Sequence, residues 1–273
     1  MRVRKQRDGD AQQTPAARGV AERQFITALA RGLEILDAFT SRDRMLGNQE
    51  LAERTGLPKA TVSRLTYTLS ELGYLTYLPR FAKYRLGLRV VGLGQVALSS
   101  LDIREIARPE MLRLAGTMDA TVSLGSRDRL SMLYIEHCPP QTTVALQLGL
   151  GSRIPLAVTA LGRAYYALAP QAERAEIDAQ LAQRHGERWP DIGKGLQEAL
   201  DMHAAFGFAA SVGDWNPEVN GVAAAFVLPS GAIMAINCGA PAFLLSRERL
   251  LQEAGPAVVA TVRRIEALIR RDG

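Results

Sequence analysis

A chain of 273 residues with 47% hydrophobic content has material for about two packed domains. Its formal net charge of +5 is unevenly placed: residues 1–86 hold 15 Lys+Arg against 9 Asp+Glu, and residues 87–273 hold 18 against 19. No apolar run approaches the ~20 residues that span a bilayer, and the opening MRVRKQRDGD lacks the apolar stretch of a secretory signal, so a cytoplasmic protein with no membrane partner is expected. Cys138 and Cys238 stand far apart and form no Cys-x-x-Cys pair, which argues against a zinc site and for free thiols in a reducing compartment. Cations concentrated at one end are the electrostatic footprint of a nucleic-acid module tied to a neutral domain.

Residues 1–23 are polar, contain Pro15 and Gly19 and show no apolar period, which predicts a disordered tail. Its arginines and lysine either touch phosphates or only keep the chain soluble. Residues 25–39 place Phe25, Leu29, Leu33 and Leu36 on one face, the pattern of an amphipathic helix. A loop at 41–44 follows.

The stretch 48–85, NQELAERTGLPKATVSRLTYTLSELGYLTYLPRFAKYR, carries the most information. Asn48 suits a helix cap, Thr55-Gly56 ends a short helix, and Pro58 opens a second one. Val62, Leu65, Leu69 and Leu72 recur at spacings of three and four, so one stripe is buried. Lys59, Thr61, Ser63, Arg64 and Tyr67 fall on or near the other side. A guanidinium, hydroxyls and a tyrosine on one exposed face suit a DNA major groove, with Arg64 matched to a guanine edge. Residues 74–77 and 83–86 read as two short strands around Pro79-Arg80, and Arg80, Lys83 and Arg85 would lie along the phosphates. The order is that of a winged helix-turn-helix for residues 24–86. The plainer alternative is a helical hairpin with a solvated charged face.

Residues 87–101 are apolar and nearly uncharged, with Gly92 and Gly94 lowering helix propensity. They read as a linker helix, either a connector buried on the body or part of a dimer interface. Residues 102–118 form an amphipathic helix with Ile103, Ile106, Met111, Leu114 and Ala115 on its apolar side. The period then changes to two. Strands are expected at 121–125, 130–136, 143–148, 208–212, 220–228 and 232–237, the last two joined by Pro229-Ser230-Gly231. Helices are expected from Thr159 to Pro170, at 171–184 and at 192–206, and a long final one capped by Ser246. Residues 102–273 are therefore an α+β domain, with helices gathered on an antiparallel sheet.

These parts resemble the IclR family of bacterial transcriptional regulators over residues ~25–270. The resemblance rests on TGLPKATVSRLTYTLSELGYL, then YRLGLRVVGLG, GSRIPLAVTALGRA and NGVAAAFVLPSGAIMAINCGAP, in that order. It implies a winged helix-turn-helix, a linker helix and a GAF-like C-terminal domain. It also implies a homodimer or homotetramer on palindromic double-stranded DNA and a small organic-acid or aromatic effector. It places apolar pocket walls at Leu146 and Leu148.

The residues themselves suggest where an effector would sit. Thr159, Ala160 and Leu161 open a helix, and unpaired N–H groups with the helix dipole favour an anion there. Ala223, Ala224 and Ala225 would leave room. Asp214, Asn220 and Asn237 would orient a ligand, and Tyr134 or Trp215 would wall it. The alternative for each is a packing or capping role. Cys238 with His137, His185 or His203 does not make a catalytic pair by spacing, and the scattered histidines do not form a metal site; no enzyme, cofactor or metal is expected. Two functions remain: a ligand-responsive regulator, or a constitutive DNA-binding factor whose C-terminal domain only dimerises.

Overall fold

The computed structural model describes residues 25–40, 43–140 and 148–272. The predicted tail (1–23), Leu146 and nearly all of the strand expected at 143–148 lie outside these residues. The chain divides into two compact units that meet between Val96 and Ala97.

In the first unit, α1 (Thr27–Asp37), α2 (Asn48–Thr55) and α3 (Lys59–Glu71) pack around Ile35, Phe39, Leu46, Leu51, Val62 and Leu69. β1 (Leu75–Leu78) and β2 (Lys83–Leu86) form the wing, in register Thr76↔Arg85 and Tyr77↔Tyr84. Leu46 adds a bridge to Tyr84, tying the entry of α2 to the wing. α4 (Leu88–Ser99) follows and has no buried residue: Leu88, Val91, Leu93 and Val96 are all exposed.

Three local expectations change here. The buried face of α1 runs through Gly32, Ile35 and Phe39, while Phe25, Leu29 and Leu33 are exposed. Both faces of that helix are apolar, so periodicity alone does not choose between them. Leu72 is half exposed, and Thr66 takes its place inside at 0% exposure. Asn48 is the first residue of α2, not its cap. Gly47 is the cap, and the Glu50 carboxylate accepts its N–H at 2.7 Å. Asn48 instead meets the Thr66 hydroxyl across the two helices, with its Oδ1 accepting at 3.2 Å.

The second unit is α+β. β3 (Thr121–Asp128), β4 (Ser131–Cys138), β5 (Arg153–Pro155), β6 (Ala209–Val212), β7 (Val219–Val227) and β8 (Ile233–Pro241) form one antiparallel sheet, in the order β5-β4-β3-β8-β7-β6. One face carries Val122, Leu124, Val222, Phe226, Ile236 and Cys238. It packs on α5 (Ile103–Met118) and on the last helix, α9 (Gly255–Asp272). The other face carries Met132, Tyr134, Ala209, Ala223 and Ala235. It is covered by α6 (Ala160–Leu168), behind which lie α7 (Gln171–His185) and α8 (Trp189–Phe206). Helices thus take both faces of the sheet. Ser246 caps the helical run that leads into α9, a short helix (Arg247–Arg249) continued by a π-helical stretch (Leu250–Ala254), its Oγ accepting the Arg249 N–H at 3.3 Å.

A bulge in the β3–β4 pairing breaks the alternation of β4, so that Tyr134 and Glu136, two residues apart, take opposite faces of the sheet. The register runs Ser123↔His137, Leu124↔Glu136, then Gly125↔Tyr134, so Ile135 has no partner. An extra residue lets neighbours on one strand face the same way. Ile135 and Cys138 enter the α5 face, whereas Tyr134 turns to the α6 face. The Glu136 carboxylate accepts Arg104 Nη2 at 3.0 Å and Arg108 Nη1 at 2.7 Å, both from α5.

Candidate nucleic-acid interface and ligand cavity

The helix-turn-helix is built by a turn only glycine tolerates well. Gly56 ends α2 at φ 69°, in the left-handed region. Pro58, at φ −57°, directly precedes α3, one residue earlier than a first-turn proline would sit. The helix buries Val62, Thr66 and Leu69. At 100° per residue that leaves Ser63, Arg64 and Tyr67 turned away from the buried stripe, and these three and Lys59, the first residue of the helix, are exposed. Thr61 lies at the margin, partly buried. None of these side chains is drawn into the protein's own core.

On the wing, Arg80 and Arg85 are exposed. A 3-10 turn, Pro79–Phe81, and Ala82 at φ 50° carry the chain between the strands. Arg80 lies over the Phe81 ring at 5.8 Å, and Tyr77 and Tyr84 pack at 5.0 Å between centroids. Lys83 differs from the other two cations. Its Nζ meets the Glu50 carboxylate at 2.9 Å, so part of its charge is already answered.

The second unit holds a cavity between the start of α6 and the sheet. Its walls are Tyr134, Leu148, Ile154 and Trp215; Thr159, Ala160 and Leu161 close it at the helix end, and Ser211, Gly221, Asn237 and Gly239 form the sheet side. The empty space between atoms is about 370 Å³ including the open mouth, with about 30 Å³ free to solvent inside. That interior holds a water or two, so a larger guest requires side-chain movement.

α6 begins as expected. Thr159 is the N-cap, its Oγ1 accepting the Gly162 N–H at 3.3 Å and donating to the Pro155 carbonyl at 2.6 Å. The following N–H groups have no intrahelical partner. Gly162 is required at this point, because a Cβ there would lie 2.0 Å from the Leu156 carbonyl oxygen. Gly125 is similarly confined, with Leu133 O at 2.6 Å from its would-be Cβ and Leu161 against it.

Tyr134 is buried, which pushes its phenol up to about 12 against the opposing effect of hydrogen bonds from Asn237 and Ser123. Ser123 Oγ lies 3.1 Å from His137 Nδ1, and the His137 ring stacks near Tyr134 at 6.4 Å. Burial lowers the His137 pKa more than the Glu136 carboxylate raises it. Asn220 lines the cavity, but its Nδ2 donates to the Leu245 carbonyl at 2.9 Å. Asn237 Oδ1 is buried without a hydrogen-bond partner among the described residues.

Some expected residues have other work. Asp214 is absent from the cavity lining: it accepts Arg163 Nη1 at 2.7 Å and the Val212 N–H at 3.2 Å. Arg163, unremarked in the sequence, is a buried cation that also donates to the carbonyls of Ala210 and Ala157. Ala223 packs in the core on the α6 face and Ala224 on the α5 face; none of residues 223–225 lines the cavity. Ser211, Gly221 and Gly239 were missed, although they stand in one cross-strand row. Alternation from Asn237 points to Gly239, since every second residue shares a face.

Both thiols are buried and pushed up, Cys138 to about 11 and Cys238 to about 12, which makes them poor nucleophiles. They flank Val122 from opposite sides, two strands apart and beyond disulfide reach. Among the described residues no acidic, His and Cys groups cluster as a metal site, and no helix is long and apolar enough to cross a membrane.

Residues 28–79 match the IclR helix-turn-helix domain, and residues 95–267 match the C-terminal domain of bacterial transcriptional regulator IclR. The HTH-type transcriptional regulator TsaQ1/TsaQ2 of Comamonas testosteroni is 37% identical over 249 residues, covering 90% of this chain and 89% of that one. A crystal structure of an IclR family transcriptional regulator from Brucella abortus superposes with a TM-score of 0.83 at 42% identity, covering 91% of this chain and 94% of that one. The fold is also shared with an IclR homologue from Microbacterium hydrocarbonoxydans solved with 4-hydroxybenzoate, at a TM-score of 0.72 and 21% identity over 90% of this chain and all of that one.

Proposed function

Since the chain belongs to the IclR family and is a DNA-binding transcriptional regulator rather than an enzyme, we propose that α3 reads operator DNA and that the cavity beside α6 binds a small-molecule effector. The observation that carries the first part is the division of α3 into a buried stripe of Val62, Thr66 and Leu69 and an exposed surface that carries Lys59, Ser63, Arg64 and Tyr67. Thr61 borders that surface. Arg80 and Arg85 on the wing supply phosphate contacts, with Lys83 a weaker one because of Glu50.

In this reading residues 24–86 are the DNA-binding domain, 87–101 the linker helix and 102–273 the GAF-like effector domain. The protein works as a homodimer or a pair of dimers on a palindromic operator. Two-fold symmetry then sets the reading helices about one turn of DNA (~34 Å) or a multiple apart. The exposed apolar side chains of α4 and of the outer face of α1 supply surface for that pairing.

The effector is a small organic or aromatic acid. Its carboxylate sits on the N–H groups of Ala160 and Leu161, with Thr159 holding the helix start, Asn237 beside it, and Tyr134 and Leu148 as walls. The Microbacterium relative's aromatic acid makes that class the first to test. Effector binding biases one dimer arrangement, for which ~1–3 kcal/mol of coupling suffices. The alternative is a constitutive factor whose C-terminal unit only dimerises.

The test has two arms on the full chain. Anisotropy titrations with duplex DNA flanking its own gene should give an affinity that falls steeply with salt; a salt-insensitive titration refutes the DNA-reading helix. Thermal shift against a panel of small carboxylates should stabilise the protein with at least one compound. Failure of every acid favours the scaffold reading.

A further inference from the structure

Asn237, which lines the cavity, carries a polar atom that the fold leaves unserved. Asn237 stands on β8 with 7% of its surface exposed, and its Oδ1 is buried with no hydrogen-bond partner among the described residues. A buried carbonyl oxygen without a donor keeps its full desolvation cost, and an aliphatic residue of similar volume at this position would avoid that cost.

The second observation is the charge of the lining. Among the described residues no charged side chain lines the cavity, and Arg163 on the same helix is committed to Asp214, Ala210 and Ala157. An anion is therefore met only by the start of α6, a nine-residue helix. An ammonium group would find no counter-charge, which excludes zwitterionic amino acids. The donor that suits Asn237 is neutral.

We propose that Asn237 determines specificity: its Oδ1 accepts a hydrogen bond from a ligand hydroxyl, so the cavity selects small hydroxy acids over acids without that hydroxyl. This rests on the effector reading given above. A site built to hydrogen-bond a hydroxyl rejects the analogue lacking it, because the buried acceptor is then stranded.

Isothermal titration calorimetry on the full chain tests it with two matched series. One is propionate, lactate and pyruvate; the other is benzoate, 3- and 4-hydroxybenzoate and 4-methoxybenzoate. In at least one series the hydroxy acid should bind at least about tenfold more tightly than the parent acid and than the keto or methoxy analogue. In Asn237→Leu that advantage should fall below about threefold, whatever the variant's absolute affinity for the parent acid. Hydroxy and parent acids binding alike overturns the proposal, as does a preference that survives Asn237→Leu. Preference for pyruvate or the methoxy acid also overturns it, since the amide would then present Nδ2. Should Asn237→Leu fail to fold, the wild-type series decides alone. Binding of no acid in either series refutes the effector reading and this inference with it.

Discussion

Replacing Glu136 by Gln isolates the ion cluster that fastens α5 to the sheet. The side chain is 7% exposed and accepts from Arg104, Arg108 and the His137 N–H at 3.0, 2.7 and 2.9 Å. Gln keeps the volume and removes the charge. Breaking a buried pair costs about 3–5 kcal/mol, because the remaining charge is stranded. Arg104 is 23% exposed and Arg108 half exposed, so Arg108 recovers water and the cost falls to about 2–3 kcal/mol. For a unit of this size each kcal/mol moves the melting point by about 2–4 °C. The variant's C-terminal unit should therefore melt roughly 4–12 °C lower in a circular-dichroism scan. Glu198→Gln is the internal control. Glu198 faces Lys194 at 3.9 Å on an exposed helix surface, where such a pair is worth less than about 0.5 kcal/mol. Equal melting temperatures for the two variants would refute the view that Glu136 is a buried anchor.

Gly162→Ala should lower the stability of the second unit by at least 1–3 kcal/mol, measured by urea unfolding, because its Cβ would meet a backbone carbonyl at 2.0 Å. Acidification should loosen the first unit. Arg54 above all, then Thr40, holds Asp43 well below the usual carboxylate range, and the Gly47 N–H followed by Lys83 lowers Glu50. A depressed folded pKa contributes stability that is complete above the unfolded value near 4 and lost as pH falls through the folded one. Asp43→Asn should flatten the melting-temperature curve of that unit between about pH 4 and 2; an unchanged acid slope would remove Asp43 from the account. On the wing, Arg85→Ala should weaken DNA binding and shallow its salt slope more than Lys83→Ala, since Glu50 already offsets Lys83. Equal slopes in the two variants would contradict that ranking.

Much of this was legible in the chain because each signal was local. Gly56 and Pro58 fix a turn by their own backbone limits, and the stripe of α3 comes from spacing. The start of α6 was readable from Thr159 standing ahead of an apolar run. What was not legible depends on partners distant in sequence. α1 is apolar on two sides, so only the packed structure selects Ile35 over Leu29. Thr66 lies inside, its hydroxyl within 3.0 Å of the Val62 carbonyl and 3.2 Å of Asn48 Oδ1 on another helix, so a polar residue takes a core position that the apolar spacing assigned to Leu72. Asp214 has the composition of a ligand contact, but Arg163, 51 positions away, claims it. β5 is a three-residue edge strand, too short to show a period. The bulge at Ile135 turns Tyr134 and Glu136 to different work, which strict alternation does not predict.

Regulation by this chain requires that the exposed arc of α3 enter a DNA groove and read it. Selection from a random pool of duplex DNA, run with the wild-type chain and with Arg64→Ala, tests it most directly. The wild type should enrich a two-fold symmetric sequence with half-sites about 10 bp or a multiple apart. Arg64→Ala should lose ~1–3 kcal/mol of affinity and relax preference at one base of each half-site. A wild-type selection that enriches no sequence, or an Arg64→Ala profile identical to it, would contradict the account.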